Sequence, residues 1–137
     1  MRWLMGGQVL DVQQGSFRAA DVAIDDGRIA ALDKGAKRAA SDEAIDASGL
    51  WLIPGLIDCH VHITQPTHDG DPRAASARTD ADVALFAAWA AERTLLAGVT
   101  TVRDVGGWNY VEMAVRAAIR AGTIRGPRMF LAGRLLS

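Results

Sequence analysis

The sequence has few of the features that mark secreted, membrane-spanning or disulfide-bonded proteins. Its 137 residues include a single cysteine, Cys59, which excludes an internal disulfide and is typical of the reducing cytoplasm. The longest strongly apolar stretch, 50–56, is interrupted by Pro54 and Gly55 and falls far short of the roughly 18 residues that span a membrane. The apolar run at the N-terminus is too short for a secretory signal. We therefore expect a cytoplasmic chain with no membrane contact.

An excess of charge of one sign is also missing. The sequence has 15 Lys and Arg residues against 16 Asp and Glu residues, for a formal net charge of −1, and no basic cluster. Binding to nucleic acid or to an anionic membrane needs clustered positive charge, so neither partner is expected. Half of the residues are apolar and 23% are charged, as in a folded globular chain.

The first part of the chain, 1–53, is predicted to be a small all-β segment. Apolar and polar residues alternate over 21–25, Asp26-Gly27 breaks the alternation, and apolar residues follow at 29 and 32. An Asp-Gly pair between two such runs predicts a β-hairpin, because the tight turn needs the positive φ that glycine adopts readily. Residues 33–43 are predicted to form an exposed connection before a strand at 50–53.

After Pro54 the pattern changes to alternating strands and helices. A strand over 55–63 is followed by a predicted helix over 81–97, which Thr79 and Asp82 would cap and Gly98 would end. Its larger apolar side chains lie mostly on one face: Leu85, Phe86, Trp89 and Leu96. The four tryptophans and Phe86 are predicted to pack in the core or against another domain.

The alternation continues to the end of the chain. A strand over 99–102 precedes a second helix, which Asn109 and Glu112 would cap and Gly122 would end. A third strand begins at Met129. Strands that alternate with helices of this length predict an α/β fold with parallel strands joined by right-handed crossovers.

Two histidines lie two residues apart on the first of these strands. The period of a strand places His60 and His62 on the same face. Two neutral imidazoles side by side are poor core residues but a natural pair of ligands for a divalent metal. The alternative is a surface strand with two solvated histidines.

The surrounding residues carry a resemblance to a known family. Pro54, Gly55, Ile57 and Asp58 lead into the His-x-His pair, the hairpin lies at 24–29, and Gly-Val-Thr-Thr-Val-Arg-Asp-Val-Gly-Gly at 98–107 is followed by Gly-Pro-Arg at 126–128. With these motifs the chain resembles the amidohydrolase superfamily of metal-dependent hydrolases. The later motifs are most similar to its branch of imidazolonepropionases and Xaa-Pro dipeptidases.

The resemblance implies a fold and a metal site. Residues 1–53 would belong to a small β-sandwich-type domain, and 54–137 would form the first two to three β/α units of a TIM-type (β/α)₈ barrel. One or two divalent metals, commonly zinc, would lower the pKa of a water molecule that attacks a carbonyl carbon. His60 and His62 would be metal ligands. Asp58 would either orient the imidazoles by accepting a ring N–H or be satisfied by neighbouring backbone.

Other polar residues have less defined roles. Arg103 and Asp104 end the second strand, where we expect a local ion pair or a hydrogen bond that orders the loop. His68 lies in the polar loop 65–72 and would either reach a substrate or be solvated. No catalytic residue is assigned within this chain.

The barrel implied by the resemblance needs more residues than this chain has. A (β/α)₈ barrel takes about 250 residues, and the family's remaining metal ligands and its general-base aspartate have no counterpart here. We therefore expect the N-terminal fragment of an enzyme that hydrolyses an amide or cyclic amide C–N bond, in a dipeptide, an N-acyl amino acid or a lactam. It would be inactive without the remainder of the barrel or another chain. The alternatives are a non-catalytic assembly or binding module and a self-associating half barrel.

Overall fold

The chain divides by its internal contacts into two units, Met1–Pro54 and Gly55–Ser137. The computed structural model describes residues 1–33, 35, 38–65 and 78–134. Within these residues, no helix is both long enough and apolar enough to span a membrane.

The first unit is a five-stranded sheet over the part of the chain described. The strands follow the order β3-β2-β1-β4, and β5 also pairs with β1. Neighbours β1, β2 and β3 are antiparallel, whereas β4 and β5 run parallel to β1. The strands are β1 (Arg2–Asp11), β2 (Ser16–Asp25), β3 (Arg28–Asp33), β4 (Glu43–Asp46) and β5 (Trp51–Leu52).

The hairpin between β2 and β3 turns where the sequence predicts. Asp26 and Gly27 adopt φ angles of 45° and 70°, and positive φ at both central residues is what a two-residue hairpin turn of this hand requires. The predicted hairpin is therefore confirmed. Strand β4 was not predicted. Its sequence, Glu-Ala-Ile-Asp, does not alternate apolar and polar residues, and all four residues are exposed.

Over the residues that the structure describes, the second unit is a parallel sheet covered by two helices. Strands β6, β7 and β8 pair in that order, each parallel to the next, which confirms the predicted α/β arrangement. Its core joins helix residues such as Val83 and Val115 to strand residues such as Val102 and Met129. The elements are β6 (Leu56–Val61), α1 (Asp80–Leu96), β7 (Val99–Asp104), α2 (Val111–Arg120) and β8 (Arg128–Leu131).

Helix α1 begins and ends as predicted. Thr79 Oγ1 accepts a hydrogen bond from the Asp82 N–H, and the Asp82 carboxylate accepts one from the Thr79 N–H, at 3.2 and 2.9 Å. The hydrogen bond from the Thr79 side chain holds the pKa of Asp82 below its usual value. At the other end, Gly98 has a φ of 91°, the left-handed conformation that glycine adopts after a helix.

The face of α1 that carries most of its large apolar side chains is not the face buried within this chain, so a contact with another domain stays a prediction for it. Leu85, Trp89 and Leu96 are 74%, 59% and 63% exposed, and at 100° per residue they lie opposite the buried face. That buried face consists of Val83, Ala87 and Ala91.

The space between α1 and its neighbours explains the small buried side chains. A Cβ placed on Gly126 would lie only 3.1 Å from the Cβ of Ala91, so larger side chains do not fit there. Among the tryptophans, Trp3 is buried in the first unit, whereas Trp51 and Trp108 are, like Trp89, exposed within this chain.

The predicted start of α2 is also corrected. Tyr110 is the N-cap residue and makes no side-chain capping bond, and both Asn109 and Tyr110 have positive φ. The Asn109 side-chain amide donates instead to Asp80 Oδ1 at 3.1 Å, as does the indole N–H of Trp108. The side chain predicted to cap α2 is thus used to tie the loop before α2 to the start of α1. Gly122 follows α2 with a φ of 73°.

We predict that Thr79→Ala destabilises the protein by about 1 kcal/mol, because it removes the side-chain acceptor at the N-terminus of α1. Urea unfolding of the complete protein measures this change. Thr79→Ser keeps the hydroxyl and is the control, for which we expect a loss of a few tenths of that amount. Equal losses for the two variants would contradict the capping role.

Candidate metal site

The structure brings His60 and His62 together at the carboxyl end of β6. Their ring centroids are 5.4 Å apart and the ring planes are inclined at 77°. His60 is exposed and His62 is half-buried. The sequence-based expectation that the two imidazoles are neighbours therefore agrees with the geometry.

The orientation of His62 is set by a backbone carbonyl. Its Nδ1 lies 2.9 Å from the carbonyl oxygen of Gly106. Because a carbonyl oxygen only accepts hydrogen bonds, Nδ1 is the donor in this contact, and in the neutral imidazole Nε2 then keeps its lone pair. Metal-binding histidines commonly use one ring nitrogen in this way and leave the other for the metal.

The spacing of the two rings suits a shared divalent ion. With Zn–N bonds of about 2.0–2.1 Å and a tetrahedral angle, two imidazole ligands have ring centres roughly 5 Å apart. The observed 5.4 Å is close to this value. Among the residues described, no group of three or more His, Cys, Asp or Glu side chains could hold a metal.

Asp58 contacts backbone. Its Oδ1 accepts a hydrogen bond from the His60 N–H at 2.9 Å, which is one of the two roles considered for it. The pairing of β6 with β7 shifts register between Asp58 and Val61, so the alternation that would align Asp58 with the histidines is interrupted. A contact from Asp58 to an imidazole ring stays a prediction.

Asp104 orders the loop after β7, which is one of the two roles expected for Arg103 and Asp104. The residue is fully buried, its Oδ2 accepts from the Ile63 N–H at 2.8 Å, and its Oδ1 accepts from the Gly106 N–H at 3.0 Å. Arg103 Nε donates to the carbonyl of Cys59 at 2.7 Å. The side chains of Arg103 and Asp104 thus both form hydrogen bonds with backbone groups near the histidines.

The loop after β7 is bonded to the ends of both neighbouring strands. The Val105 N–H donates to the Val61 carbonyl, and the Gly107 N–H donates to the Gly133 carbonyl, each at 3.0 Å. The Trp108 N–H donates to Thr64 Oγ1 at 3.0 Å. The carbonyl that orients His62 therefore belongs to a loop held from both sides.

Glu112 is a buried acid that sequence reasoning did not place at this loop. It is fully buried, and within the described residues neither carboxylate oxygen has a hydrogen-bond partner. Burial raises its pKa, and the nearby charge of Asp104 adds to the effect. The carboxyl group packs against Gly107, where any Cβ would collide with it. The two consecutive glycines at 106 and 107 were the available signal of this close approach.

His68 lies outside the described residues, and its role stays a prediction.

The two histidines lie where β6 ends. In barrel enzymes the active sites lie at the carboxyl ends of the parallel strands. The sequence profile of the amidohydrolase family matches residues 51–137. The chain belongs to the amidohydrolase family, as the sequence motifs predicted.

Sequence relatives match part of the chain. A dihydroorotase of Geobacter metallireducens is 44% identical over 66 residues, which are 48% of this chain and 16% of the relative. Adenine deaminase 2 of Rhizobium meliloti is 47% identical over 58 residues, which are 42% of this chain and 10% of the relative.

Solved structures match nearly the whole chain. A prolidase complexed with N-methylphosphonate-L-proline is 30% identical with a TM-score of 0.82, over 96% of this chain and 31% of its own. Molinate hydrolase is 28% identical with a TM-score of 0.87, over 98% of this chain and 30% of its own. A Xaa-Pro dipeptidase with bound methionine is 29% identical with a TM-score of 0.82, over 97% of this chain and 33% of its own. The predicted fold class is confirmed, and this chain spans about a third of the length of these structures.

We predict that Glu112→Gln stabilises the protein at alkaline pH. Above the usual carboxyl pKa of 4.5, folded Glu112 keeps a proton that the unfolded chain has lost, so the free energy of unfolding falls as pH rises until the folded acid ionises. Glutamine has no charge to bury, and we expect a gain on the order of 1 kcal/mol at about pH 8.

Urea unfolding of the complete protein between about pH 5 and pH 8 measures this difference. Glu92→Gln is the control, because Glu92 is a half-buried residue of α1 that already has a partner, the exposed Arg125. A Glu112→Gln variant that loses stability at the alkaline end would show that the Glu112 carboxylate is stabilising in the folded protein.

Proposed function

We propose that this chain supplies the first metal ligands of a hydrolase that cleaves the C–N bond of an amide or cyclic amide. His60 and His62 hold a divalent metal, commonly zinc. The observation that carries the proposal is the hydrogen bond from His62 Nδ1 to the Gly106 carbonyl, since it leaves Nε2 for a metal in a ring whose centroid lies 5.4 Å from that of His60.

The chain's own residues orient the ligands and hold one proton. The Gly106 carbonyl keeps the proton of His62 on Nδ1, and the Asp58 carboxylate holds the backbone at His60. When bound, a divalent metal supplies Lewis-acid chemistry, lowering the pKa of a water molecule and polarising a substrate carbonyl. The group that moves the proton to the leaving nitrogen comes from outside this chain, so no catalytic residue is assigned here.

Exposed apolar residues support a larger barrel around this unit. Ile57 on β6 and Phe130 on β8 are 68% and 57% exposed, and a closed barrel would cover such side chains with its remaining strands. We accordingly assign 54–137 to the start of a (β/α)₈ barrel and 1–53 to a small β domain that other parts of the protein complete. The chain alone is then inactive.

The relatives favour C–N bonds as the point of cleavage. The matching proteins include dihydroorotases by sequence and a prolidase and a Xaa-Pro dipeptidase by structure. The candidate substrates are therefore dipeptides, N-acyl amino acids and cyclic amides. In barrel enzymes the loops after the later strands contribute to the site, so the choice among these substrates depends on residues beyond this chain.

We predict that His60→Ala and His62→Ala in the complete protein each lower metal content and reduce hydrolysis by more than about 100-fold, because each removes a metal ligand. Elemental analysis after dialysis measures the metal. Hydrolysis is followed with Xaa-Pro dipeptides, N-acyl amino acids and dihydroorotate.

Glu43→Ala is the control, since Glu43 forms an exposed ion pair with Arg2 in the first unit, and we expect it to keep both metal and activity. A complete protein that contains no divalent metal and hydrolyses none of the three substrate classes would contradict the proposed function. It would favour a non-catalytic assembly or binding module.

A further inference from the structure

The Asp104 carboxylate is a buried group for which the proposed chemistry has no step. It is 0% exposed, and each of its oxygens accepts a hydrogen bond from a different backbone segment. Oδ2 binds the N–H of Ile63, the residue after His62, and Oδ1 binds the N–H of Gly106. Gly106 is the residue whose carbonyl faces the ring of His62.

These hydrogen bonds form a closed circuit around one imidazole. From Asp104 one branch passes through the Ile63 amide to the backbone of His62, and the other passes through Gly106 to Nδ1 of the same residue. The backbone of His62 and its ring are therefore positioned from a single carboxylate. Hydrogen bonds to a charged acceptor are about twice as strong as neutral ones, so both segments are held firmly.

We propose that Asp104 is a positioning residue for His62, which fixes both the Nδ1–H tautomer and the direction of Nε2. It does so by holding Ile63 and Gly106 at once. The consequence for metal affinity rests on the proposed function, whereas the hold on the tautomer is a property of the protein without metal.

A matched carboxylate in the first unit separates this role from simple stabilisation. Asp21 is 8% exposed and also joins two backbone segments, accepting from the Gly6 N–H at 2.8 Å and from the Gly35 N–H at 3.2 Å. Its two partners lie far along the sequence from the histidines. Asp21→Asn thus makes the same chemical change as Asp104→Asn without touching the circuit around His62.

The experiment compares Asp104→Asn with Asp21→Asn in the complete protein. In either variant an amide NH₂ replaces one acceptor oxygen and faces a backbone N–H, so one of the two hydrogen bonds is lost. Histidine labelled with ¹⁵N reports the protonated ring nitrogen of His62 in metal-free protein, with the signal assigned from a His62→Ala sample. Competition with a chelator then gives the zinc affinity.

We expect His62 to be protonated on Nδ1 in the wild type and in Asp21→Asn, and to populate the Nε2–H form in Asp104→Asn. Zinc affinity should fall by about 10- to 100-fold in Asp104→Asn, the range for groups that orient metal ligands, and stay unchanged in Asp21→Asn. A zinc affinity and tautomer in Asp104→Asn equal to those of the wild type would overturn the proposal. So would equal effects of the two variants.

Two further results keep the inference independent of folding and of the metal. If Asp104→Asn does not fold, the wild type still tests the premise: a His62 protonated on Nε2 without metal overturns the proposal, because the contact from Nδ1 to the Gly106 carbonyl is then absent. If the tautomer changes as expected but the wild type binds no zinc, the positioning role stands and the proposed function fails.

Discussion

The parallel pairing of β7 with both of its neighbours is the constraint on which the candidate site depends. Parallel strands end at the same edge of a sheet, so the residues that follow β6, β7 and β8 meet there. The loop after β7 lies between the other two ends and bonds to both, through the Val61 and Gly133 carbonyls. Without this register, Gly106 would not reach His62, and the His62 imidazole would lose the contact that orients it.

Elements that depend on neighbouring residues were predicted correctly. The turn at Asp26-Gly27 and the cap formed by Thr79 and Asp82 each involve residues within four positions of one another, and their conformations follow from local geometry. The rings of His60 and His62 are also neighbours, as two residues that close in sequence at the end of one strand are expected to be. The parallel sheet followed from the alternation of strands and helices.

Features that depend on distant parts of the chain were missed or placed wrongly. The buried face of α1 includes two alanines, of which Ala91 packs closely against Gly126, and hydrophobic periodicity does not report such a contact. Asn109 and Glu112 have the spacing of a capping box, but the first binds Asp80 and the second is buried against Gly107. The acceptor for His62 is a backbone carbonyl 44 residues away, and a backbone group leaves no trace in residue type.

The close packing of α1 through its buried alanines has a consequence for the loop after β7, because α1 also contacts that loop. Because Ala91 packs closely against Gly126, an enlarged side chain at 91 would displace the helix backbone rather than one side chain. The first residue of that helix, Asp80, holds the indole of Trp108, two residues beyond the carbonyl that orients His62. A displacement of α1 would therefore also move the loop that carries Gly106. Substitutions on the inner face of α1 are expected to affect the site, although none of its side chains takes part in the chemistry.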